Sequence, residues 1–376
     1  MGLSFREVGG FHPKPHLVVI GGGIVGLFTA LFHKRSHPRH HVVVLERGTY
    51  PSGASVKNAG FACFGSPSEL LADIRNEGMD AALNRVEERW RGLNELRAEL
   101  GDANIGFEGS GGHEIYRTGG PLYPLVAEGF DGLNAALRPI FNGPVFQWSD
   151  EMIGRSGLSG VDHLVRTTFE SPIDTGRMME TLLRKVSSEG VHFRPNAEVI
   201  FMEDGPLGVM ISLRDGSHME AGQVLVATNG YTSSILPDLD VIPARGQVLL
   251  TEPIPELALR GTFHVDEGFY YFRDYQGAVL LGGGRNLDVA GETTTNDGTT
   301  EQIQFALEDL LRTVILPGRE FKIVRRWSGV MGFGATSKAP LIERISPRVS
   351  VAVRLGGMGV AIGIRVARKA AALLHD

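Results

Sequence analysis

The sequence predicts an α/β protein in which a parallel-sheet domain, assembled from separated segments, is interrupted by a second, α+β domain that contains an antiparallel sheet. Three observations carry this prediction. A short apolar strand, a glycine turn and a helix follow one another over residues 15–34. Strand and helix patterns return over residues 171–230 and at the C-terminal end. Residues 242–288 instead resemble antiparallel strands joined by tight turns.

The composition is that of a globular protein with two compact units. The chain has 376 residues, of which 42% are hydrophobic and 21% charged, and its formal net charge is −6. This length exceeds what a single hydrophobic core usually supports. The sequence has no long basic run, so we expect no nucleic-acid partner.

The cysteine and histidine content predicts neither a disulfide framework nor a metal site. Cys63 is the single cysteine, which is typical of a reducing compartment, and we therefore expect a cytoplasmic location. Twelve histidines are scattered, and we expect none to form a His-x-x-x-His pair on a helix. The N-terminal "MGLSFREVGGFHPKP" lacks the apolar segment of a signal peptide, and the apolar run 17–32 is too short and glycine-rich to span a membrane.

The first element is a buried strand over residues 16–20, because its apolar residues do not alternate with polar ones. Glycines follow, and a helix is predicted from Ile24 to about Lys34, where a cationic turn and Pro38 end it. Gly21 permits the tight turn, Gly23 admits a pyrophosphate and Gly26 allows close packing of helix on strand. The pattern predicts a Rossmann-like dinucleotide-binding unit.

A second buried strand, "HVVVLE", ends at Glu46, which lies 20 residues after Gly26. An acidic residue at this spacing binds the ribose hydroxyls of a dinucleotide. A carboxylate rather than a basic residue favours FAD or NAD over NADP.

The remaining elements complete the two-domain pattern. Residues 66–100 are strongly helical and charged, residues 171–191 form a helix with Asp174 or Thr175 near its cap, and "QVLVATNGY" is an apolar strand. We predict a nucleotide-binding domain at residues 14–78, 151–236 and 326–376. The second domain is predicted at residues 79–150 and 237–325.

Six motifs make the interpretation specific. "VVIGGGIVG", "VVVLERG", "GASVKNAG", "VLVATNGYTS", "PARGQV" and "LGGMGVAIG" occur in the order seen in the D-amino-acid-oxidase-like superfamily. That superfamily includes glycine oxidase, sarcosine oxidase, D-amino-acid dehydrogenase and γ-glutamylputrescine oxidase. The resemblance implies FAD as cofactor, a discontinuous FAD-binding domain of the glutathione-reductase type and an α+β substrate domain.

The resemblance also implies which residues bind the cofactor. They are Gly21, Gly23, Ile24, Val25, Gly26, Glu46, Arg47, Ala54, Ser55, Lys57, Asn58, Ala59, Gly60, Val199, Thr228, Asn229, Gly230, Gly356, Gly357, Met358, Gly359 and Val360. Some relatives attach the flavin through a histidine near position 57, whereas this chain has Lys57 and no cysteine near its C-terminus. We therefore expect non-covalent FAD. The glycines after residue 355 open the last helix, whose N-terminus would stabilise negative charge on reduced flavin.

The predicted substrate site lies on the hairpin "GFYYFRDYQGAVLLGGGRNLD". The resemblance places a substrate-facing tyrosine at about Tyr270. Strand alternation puts Tyr271 on the opposite face, so a shift of one residue in the match would exchange the two, and both are candidates. Arg285 is a candidate for pairing a substrate carboxylate, or else a surface ion pair. Lys57 is the fourth candidate catalytic residue, with a solvated surface lysine as the alternative.

Two positions depart from relatives within the superfamily. Glycine oxidase carries a carboxylate-binding arginine in the motif that matches "WSGVMG", and this chain has Met331 there. Sarcosine oxidase has an oxygen-activating lysine where this chain has Leu280. The resemblance therefore transfers neither the usual carboxylate clamp nor that oxygen switch.

The expected function is oxidation of the C–N bond of an amine or amino acid, with O2 or another electron acceptor. The resemblance implies that hydride passes from the carbon bearing a neutral amine to flavin N5, so no strong general base is required. A rival function is that of a 2-hydroxy-acid dehydrogenase, which needs a base, with His264 as the nearest candidate. A non-catalytic flavin-binding assembly protein is a second rival, and a pyridine-nucleotide dehydrogenase is a more distant third.

Overall fold

The computed structural model of the chain describes residues 14–374. Its strands are β1 Leu17–Ile20, β2 Val42–Leu45, β3 Phe61–Ala62, β4 Gly112–Arg117, β5 Gln147–Trp148, β6 Val161–Thr167, β7 Ser171–Pro172, β8 His192–Arg194, β9 Val199–Asp204, β10 Val209–Leu213, β11 His218–Ala221, β12 Gln223–Val226, β13 Ile242–Thr251, β14 Thr262–Val265, β15 Tyr270–Tyr275, β16 Ala278–Gly283, β17 Ile323–Phe333, β18 Leu341–Ser346 and β19 Val349–Val353.

The α-helices alternate with these strands. They are α1 Ile24–Ser36, α2 Ala54–Lys57, α3 Pro67–Glu77, α4 Met79–Leu100, α5 Asp102–Ile105, α6 Leu122–Phe141, α7 Glu151–Ser156, α8 Thr175–Ser188, α9 Glu301–Leu310 and α10 Gly359–Leu373. Short 3₁₀ helices cover Asn229–Ser234 and Arg285–Leu287, and a π-helical turn covers Leu311–Ile315. Within residues 14–374, no helix is both long and apolar enough to cross a bilayer.

The chain forms two compact units. Within the described residues, the first comprises residues 14–56, 176–244 and 331–374, and the second residues 57–175 and 245–330. The sequence predicted the same alternation of segments but placed the boundaries after residues 78, 150, 236 and 325. The largest differences arise because the 57–78 segment and residues 151–175 make their contacts within the second unit, through β3, β6 and β7.

The first unit contains a six-stranded sheet of order β18-β19-β12-β1-β2-β8. All but β18 are parallel, and Leu17 of β1 pairs with Gln223 of β12 and Val42 of β2. The four residues of β1 and of β2 are all buried, as the unbroken apolar runs predicted. A three-stranded antiparallel sheet, β11-β10-β9, covers part of this core. The predicted parallel-sheet fold is confirmed.

The second unit contains an eight-stranded sheet of order β17-β13-β16-β15-β14-β4-β6-β5. Its hairpin β15–β16 turns at Gln276–Gly277, as predicted from "DYQG", and Phe272 pairs with Leu281. Phe263, Phe272 and Leu281 belong to the large core on one face. Helices α3, α4 and α6 pack around a separate core that includes Phe64 and Phe130. The predicted antiparallel sheet and helical segment are both present.

Candidate functional site

The glycine turn after β1 is fixed by close backbone contacts. Gly21 has φ +111°, and a Cβ there would lie 2.7 Å from the Ala227 carbonyl oxygen. A Cβ on Gly26 would lie 2.0 Å from the Gly21 carbonyl oxygen. Both glycines are therefore required by the fold itself, in agreement with the predicted tight turn and close helix packing.

Gly23 is different, because the fold alone does not require a glycine at this position. It is the N-cap of α1 with φ −77°, and a Cβ there would approach only Ser55 Oγ, at 3.0 Å. Ser55 Oγ accepts a hydrogen bond from the Ile24 N–H, at 3.0 Å. A side chain at Gly23 would instead fill the space in front of the N-terminus of α1, whose cap residue supplies no side-chain hydrogen bond.

The N-terminus of α10 lies beside that of α1. A Cβ on Gly363, in the second turn of α10, would lie 2.9 Å from Cγ2 of Ile24, the first residue of α1. Met358 caps α10 without a side-chain hydrogen bond, and neither helix has an acidic residue in its first turn. Two adjacent helix N-termini form a cradle for an anion, because their N–H groups and dipoles carry positive potential.

Asn229 ties the loop before α10 to the end of the sheet. Its Oδ1 accepts hydrogen bonds from the backbone N–H groups of Arg354 and Leu355, at 3.1 and 3.3 Å. Thr228 Oγ1 and Thr232 Oγ1 lie 3.0 Å apart, and Thr232 Oγ1 also donates to the Asn229 carbonyl. The side chains of "VATNGYTS" thus organise the loop that carries Gly356 and Gly357.

Glu46 has the local geometry expected of a ribose ligand. It is only 6% exposed and accepts hydrogen bonds from Gly22 N on Oε2, at 3.0 Å, and from Gly48 N and Ser52 Oγ on Oε1, at 2.9 and 3.0 Å. These three bonds occupy most of the about four acceptor positions of a carboxylate. One position on Oε2 remains for a ribose hydroxyl.

Arg47 and Val199, two further predicted cofactor-binding residues, lie near Glu46: Arg47 is next to it in sequence, and Val199 is close to it in space. The Arg47 guanidinium stacks 3.8 Å from the centre of the Tyr231 ring. Ala197 N donates to the Glu46 carbonyl, and Val199 begins β9 two residues later. Glu46, Arg47 and Val199, three of the predicted cofactor-binding residues, thus lie in one region of the first unit.

The second unit presents an apolar patch on the sheet face opposite its large core. We call this patch the Tyr271 face; it comprises Ala59, Phe61, Val248, Leu250, Tyr271, Tyr275, Leu280 and Trp327. Trp327 Nε1 donates to the Lys57 carbonyl, at 2.8 Å. Ala59 belongs to the predicted flavin loop, so the Tyr271 face and that loop are joined by direct packing.

The two candidate tyrosines lie on opposite faces, as the alternation predicted. Tyr270 packs against the large core, whereas Tyr271 belongs to the Tyr271 face. Burial raises the pKa of Tyr271 to about 12, so its hydroxyl keeps its proton at neutral pH. A Cβ on Gly282 would lie 2.8 Å from the Tyr271 hydroxyl and 2.6 Å from its ring. Gly282 therefore permits the position of this ring.

The remaining two catalytic candidates have charged neighbours. Lys57 Nζ lies 2.9 Å from Asp297 Oδ1, in a partly exposed ion pair. Arg285 begins a 3₁₀ helix and is half-buried; burial lowers its pKa, and the charge of Glu292 opposes this effect. Their catalytic roles stay predictions.

Arg273 is a structural residue that no sequence motif marks. It is 3% exposed, and its Nη1 donates to the carbonyls of Gly60 and Ile173, at 3.0 and 2.6 Å. Burial lowers its pKa. A Cβ on Gly60, which has φ +75°, would lie 2.2 Å from the Ile173 carbonyl oxygen. Arg273 and Gly60 together hold the predicted flavin loop against β7.

A buried histidine–glutamate pair borders the same face. His264 Nε2 lies 3.2 Å from Glu170 Oε2, and the His264 ring meets Phe61 edge-on at 5.2 Å. Burial alone would lower the pKa of His264, but the hydrogen bond and charge of Glu170 outweigh it and raise the pKa. Burial, followed by the charge of Glu170, raises the pKa of the neighbouring Cys63 thiol. Glu170 thus favours the protonated form of His264.

Comparisons with known proteins identify the family. Residues 16–373 match the model of the DAO family, described as FAD dependent oxidoreductase. The structure is similar to L-proline dehydrogenase from P. horikoshii, with TM-score 0.74 and 18% identity over 96% of this chain and 93% of that chain. It is also similar to glycine oxidase from Geobacillus kaustophilus, with TM-score 0.72 and 19% identity over 96% and 95%.

A third similar structure is iminodiacetate oxidase from a Chelativorans species, with TM-score 0.72 and 17% identity over 96% of this chain and 95% of that chain. No curated protein matches the sequence. At these identities the solved structures show a shared fold, and the family match over residues 16–373 confirms the predicted superfamily.

The residues of the first unit fit FAD. The cradle at Gly23 would be filled by a Cβ, and it is flanked by two helix N-termini suited to a pyrophosphate. Glu46 retains an acceptor position for a ribose hydroxyl.

Proposed function

Because the chain belongs to the DAO family of FAD-dependent oxidoreductases, we propose that it oxidises the C–N bond of an amine or amino acid. The product is an imine, which water hydrolyses. FAD supplies the hydride acceptor for such a reaction. The chain is therefore a flavin-dependent enzyme.

The Tyr271 face is the observation that carries the proposal. It combines aromatic rings with Val248 and Leu280, and it includes Ala59 of the predicted flavin loop. Such a surface excludes water and holds a substrate by its apolar part. The neutral amine supplies the electron pair that forms the imine as hydride leaves, so these residues need not remove a proton from carbon.

Tyr271 is proposed as the residue that orients the substrate nitrogen or carboxylate. Its raised pKa keeps the hydroxyl protonated, so it donates a hydrogen bond rather than acting as a base. Arg285 is proposed to bind a carboxylate where the substrate has one. Met331 stands where glycine oxidase has its carboxylate-binding arginine, which favours a substrate anchored differently from glycine.

The test is anaerobic reduction of the bound flavin by defined substrate classes. The panel contains L- and D-amino acids, N-methyl amino acids and polyamines, each followed by bleaching of the visible flavin absorption. We expect one class to bleach the flavin rapidly and the rest to leave it unchanged. Readmitted air then separates an oxidase, which recolours at once, from a dehydrogenase. A flavin that no amine bleaches contradicts the proposal.

The His264–Glu170 pair supports a second candidate, oxidation of a 2-hydroxy acid. That reaction needs a base for the hydroxyl proton, and a glutamate-bound histidine is a common base. Its raised pKa opposes this role, because a higher pKa reduces the fraction of the neutral base form. A His264→Gln variant discriminates: we expect amine-driven flavin reduction to persist, whereas a hydroxy-acid dehydrogenase would lose its activity.

We also propose that FAD is bound non-covalently, because Lys57 is engaged with Asp297 and the single cysteine, Cys63, is buried with a raised thiol pKa. Acid precipitation should release the flavin into the supernatant, and flavin that stays in the pellet would contradict this. A cytoplasmic location rests on the single cysteine and stays a prediction.

A further inference from the structure

Three histidines meet at the amino-terminal edge of the parallel sheet in the first unit. His33 and His37 lie one turn apart at the end of α1, and His40 follows in the connection to β2. The sequence predicts no such pair, because its cationic turn ends the helix near Lys34. The helix continues to Ser36 with His37 as its C-cap, which places both rings on one side.

The backbone builds this cluster. The His37 N–H donates to the His33 carbonyl at 2.8 Å, and the His40 N–H donates to the His37 carbonyl at 3.0 Å. Lys34 Nζ donates to the His40 carbonyl at 2.8 Å, which fixes the connection against the helix. The three side chains are therefore held together by ordered backbone, in contrast to a chance meeting of surface groups.

The ring nitrogens are close enough to share one ion. One nitrogen from each of the three rings lies within 4.8 Å of the others, and His33 Nε2 lies 3.0 Å from His40 Nδ1. Tetrahedral zinc at about 2.1 Å from each nitrogen separates its ligands by roughly 3.4 Å. The His37 and His40 rings are partly exposed and stack on each other with centroids 4.5 Å apart, so both would have to rotate to bring their nitrogens to this separation.

Neighbouring residues support the cluster from two sides. The His16 ring stacks on His40 at 4.4 Å, and its Nδ1 accepts the His41 backbone N–H at 3.0 Å. The positive charge of Arg35 is paired with Glu189, at 2.8 and 2.7 Å. The cluster also lies at the C-terminus of α1, where the helix dipole favours a cation.

We propose that His33, His37 and His40 bind a divalent transition-metal ion of the zinc class, with water completing its coordination. Neutral imidazole is a suitable ligand for Zn²⁺, Cu²⁺ and Ni²⁺. The ion clamps the end of α1 to the segment that enters β2. This site is at the opposite end of α1 from Gly23, so it is separate from the FAD cradle.

The proposal is tested by calorimetric titration of Zn²⁺ into tag-free, chelator-treated holoprotein, with Co²⁺ absorption as a second probe. We expect one saturable site per chain and a raised melting temperature with zinc.

The variants His37→Gln and His40→Gln should each weaken zinc binding by about tenfold or more. His218→Gln is the matched control, because His218 is an exposed histidine of β11 that bonds to Ser212. Flavin content should be unchanged in all three variants, which verifies folding and keeps this test separate from the proposed oxidation. Absent saturable binding, or unchanged affinity in the His37 and His40 variants, would overturn the proposal.

Discussion

The two candidate sites of this chain differ in which groups form them: one consists mainly of backbone and the other of side chains. The FAD cradle of the first unit consists mainly of backbone: glycines, two helix N-termini and the N–H groups around Glu46. The Tyr271 face of the second unit consists of side chains brought together by strand pairing. A site made of backbone tolerates variation of most side chains but fails when a glycine gains a Cβ. A site made of side chains depends on each residue beneath it.

The largest effect should come from filling the cradle. Gly23→Val places a branched side chain before the N-terminus of α1, where only Ser55 Oγ limits the space within the fold. We expect the purified variant to keep its circular dichroism spectrum and lose more than about nine-tenths of its flavin. Gly143→Val, where a Cβ meets no atom within 4 Å, is the control and should keep its flavin.

Retention of full flavin content by the Gly23 variant would show that the pyrophosphate binds elsewhere. Gly21 is a poorer test, because a Cβ there would meet the Ala227 backbone and unfold the turn. Flavin lost from a Gly21 variant would not separate binding from folding.

The next largest effect should come from removing Arg273, which binds the loop next to the Tyr271 face. Arg273→Gln removes the charged donors that hold the Gly60 and Ile173 carbonyls. We expect the free energy of unfolding in urea to fall by about 3 kcal/mol. Arg260→Gln, which removes an arginine that also bonds to carbonyls but is exposed, should cost about 0.5 kcal/mol or less. Equal losses in the two variants would contradict a supporting role for Arg273.

A buried histidine of the second unit, His113, should make the free energy of unfolding depend on pH. Burial lowers the pKa of His113 from 6.5 to about 4, and its Nδ1 bonds to the Thr262 carbonyl. The unfolded chain therefore takes up this proton first, so stability is present above pH 6.5 and is lost as the pH falls towards 4.

Between pH 7.5 and pH 5 this linkage costs about 2 kcal/mol. We expect His113→Gln to remove that part of the pH dependence in urea unfolding, whatever its effect at pH 7.5. His264 acts in the opposite direction because its pKa is raised, and it is present in both the variant and the wild type. An identical pH slope in both proteins would refute the assignment.

The smallest effect should be local to the proposed substrate face. Gly282→Ala adds a Cβ within 2.6 Å of the Tyr271 ring and should force that ring to move. We expect a loss of about 1–2 kcal/mol in stability and a several-fold rise in KM with less change in kcat. Gly132→Ala, in the open face of α6, should stabilise the protein slightly. Unchanged kinetics in the Gly282 variant would remove Tyr271 from the substrate site.

The sequence predicted the glycine turn and the helix packing well because their signal is local. Gly21, Gly23 and Gly26 lie within six residues of one another, and each glycine reports a backbone requirement that is visible without knowledge of the fold. Strand type and the hairpin turn were likewise predicted from short patterns. The order of segments followed from these, but the domain boundaries did not, because they depend on which unit each connecting segment contacts.

The sequence did not reveal Arg273 or the histidine cluster. The carbonyls that Arg273 binds are 213 and 100 residues away, so no local pattern marks it as a clamp. The His33–His37 pair was missed because the helix end was placed two residues early, at a cationic turn that the structure continues as helix. The partners of Arg273 are defined by tertiary structure alone, whereas the His33–His37 pair depends on the local position of the helix end.

The most direct test of the proposed function compares one amine with its hydroxyl counterpart. The best amine from the panel, the same amine deuterated at the carbon bearing nitrogen, and the matched 2-hydroxy compound are each mixed anaerobically with the holoprotein. We predict that the amine reduces the flavin, that deuteration slows this reduction several-fold, and that the hydroxyl compound leaves the flavin oxidised. Reduction by the hydroxyl compound alone would contradict C–N oxidation and establish the alternative substrate class.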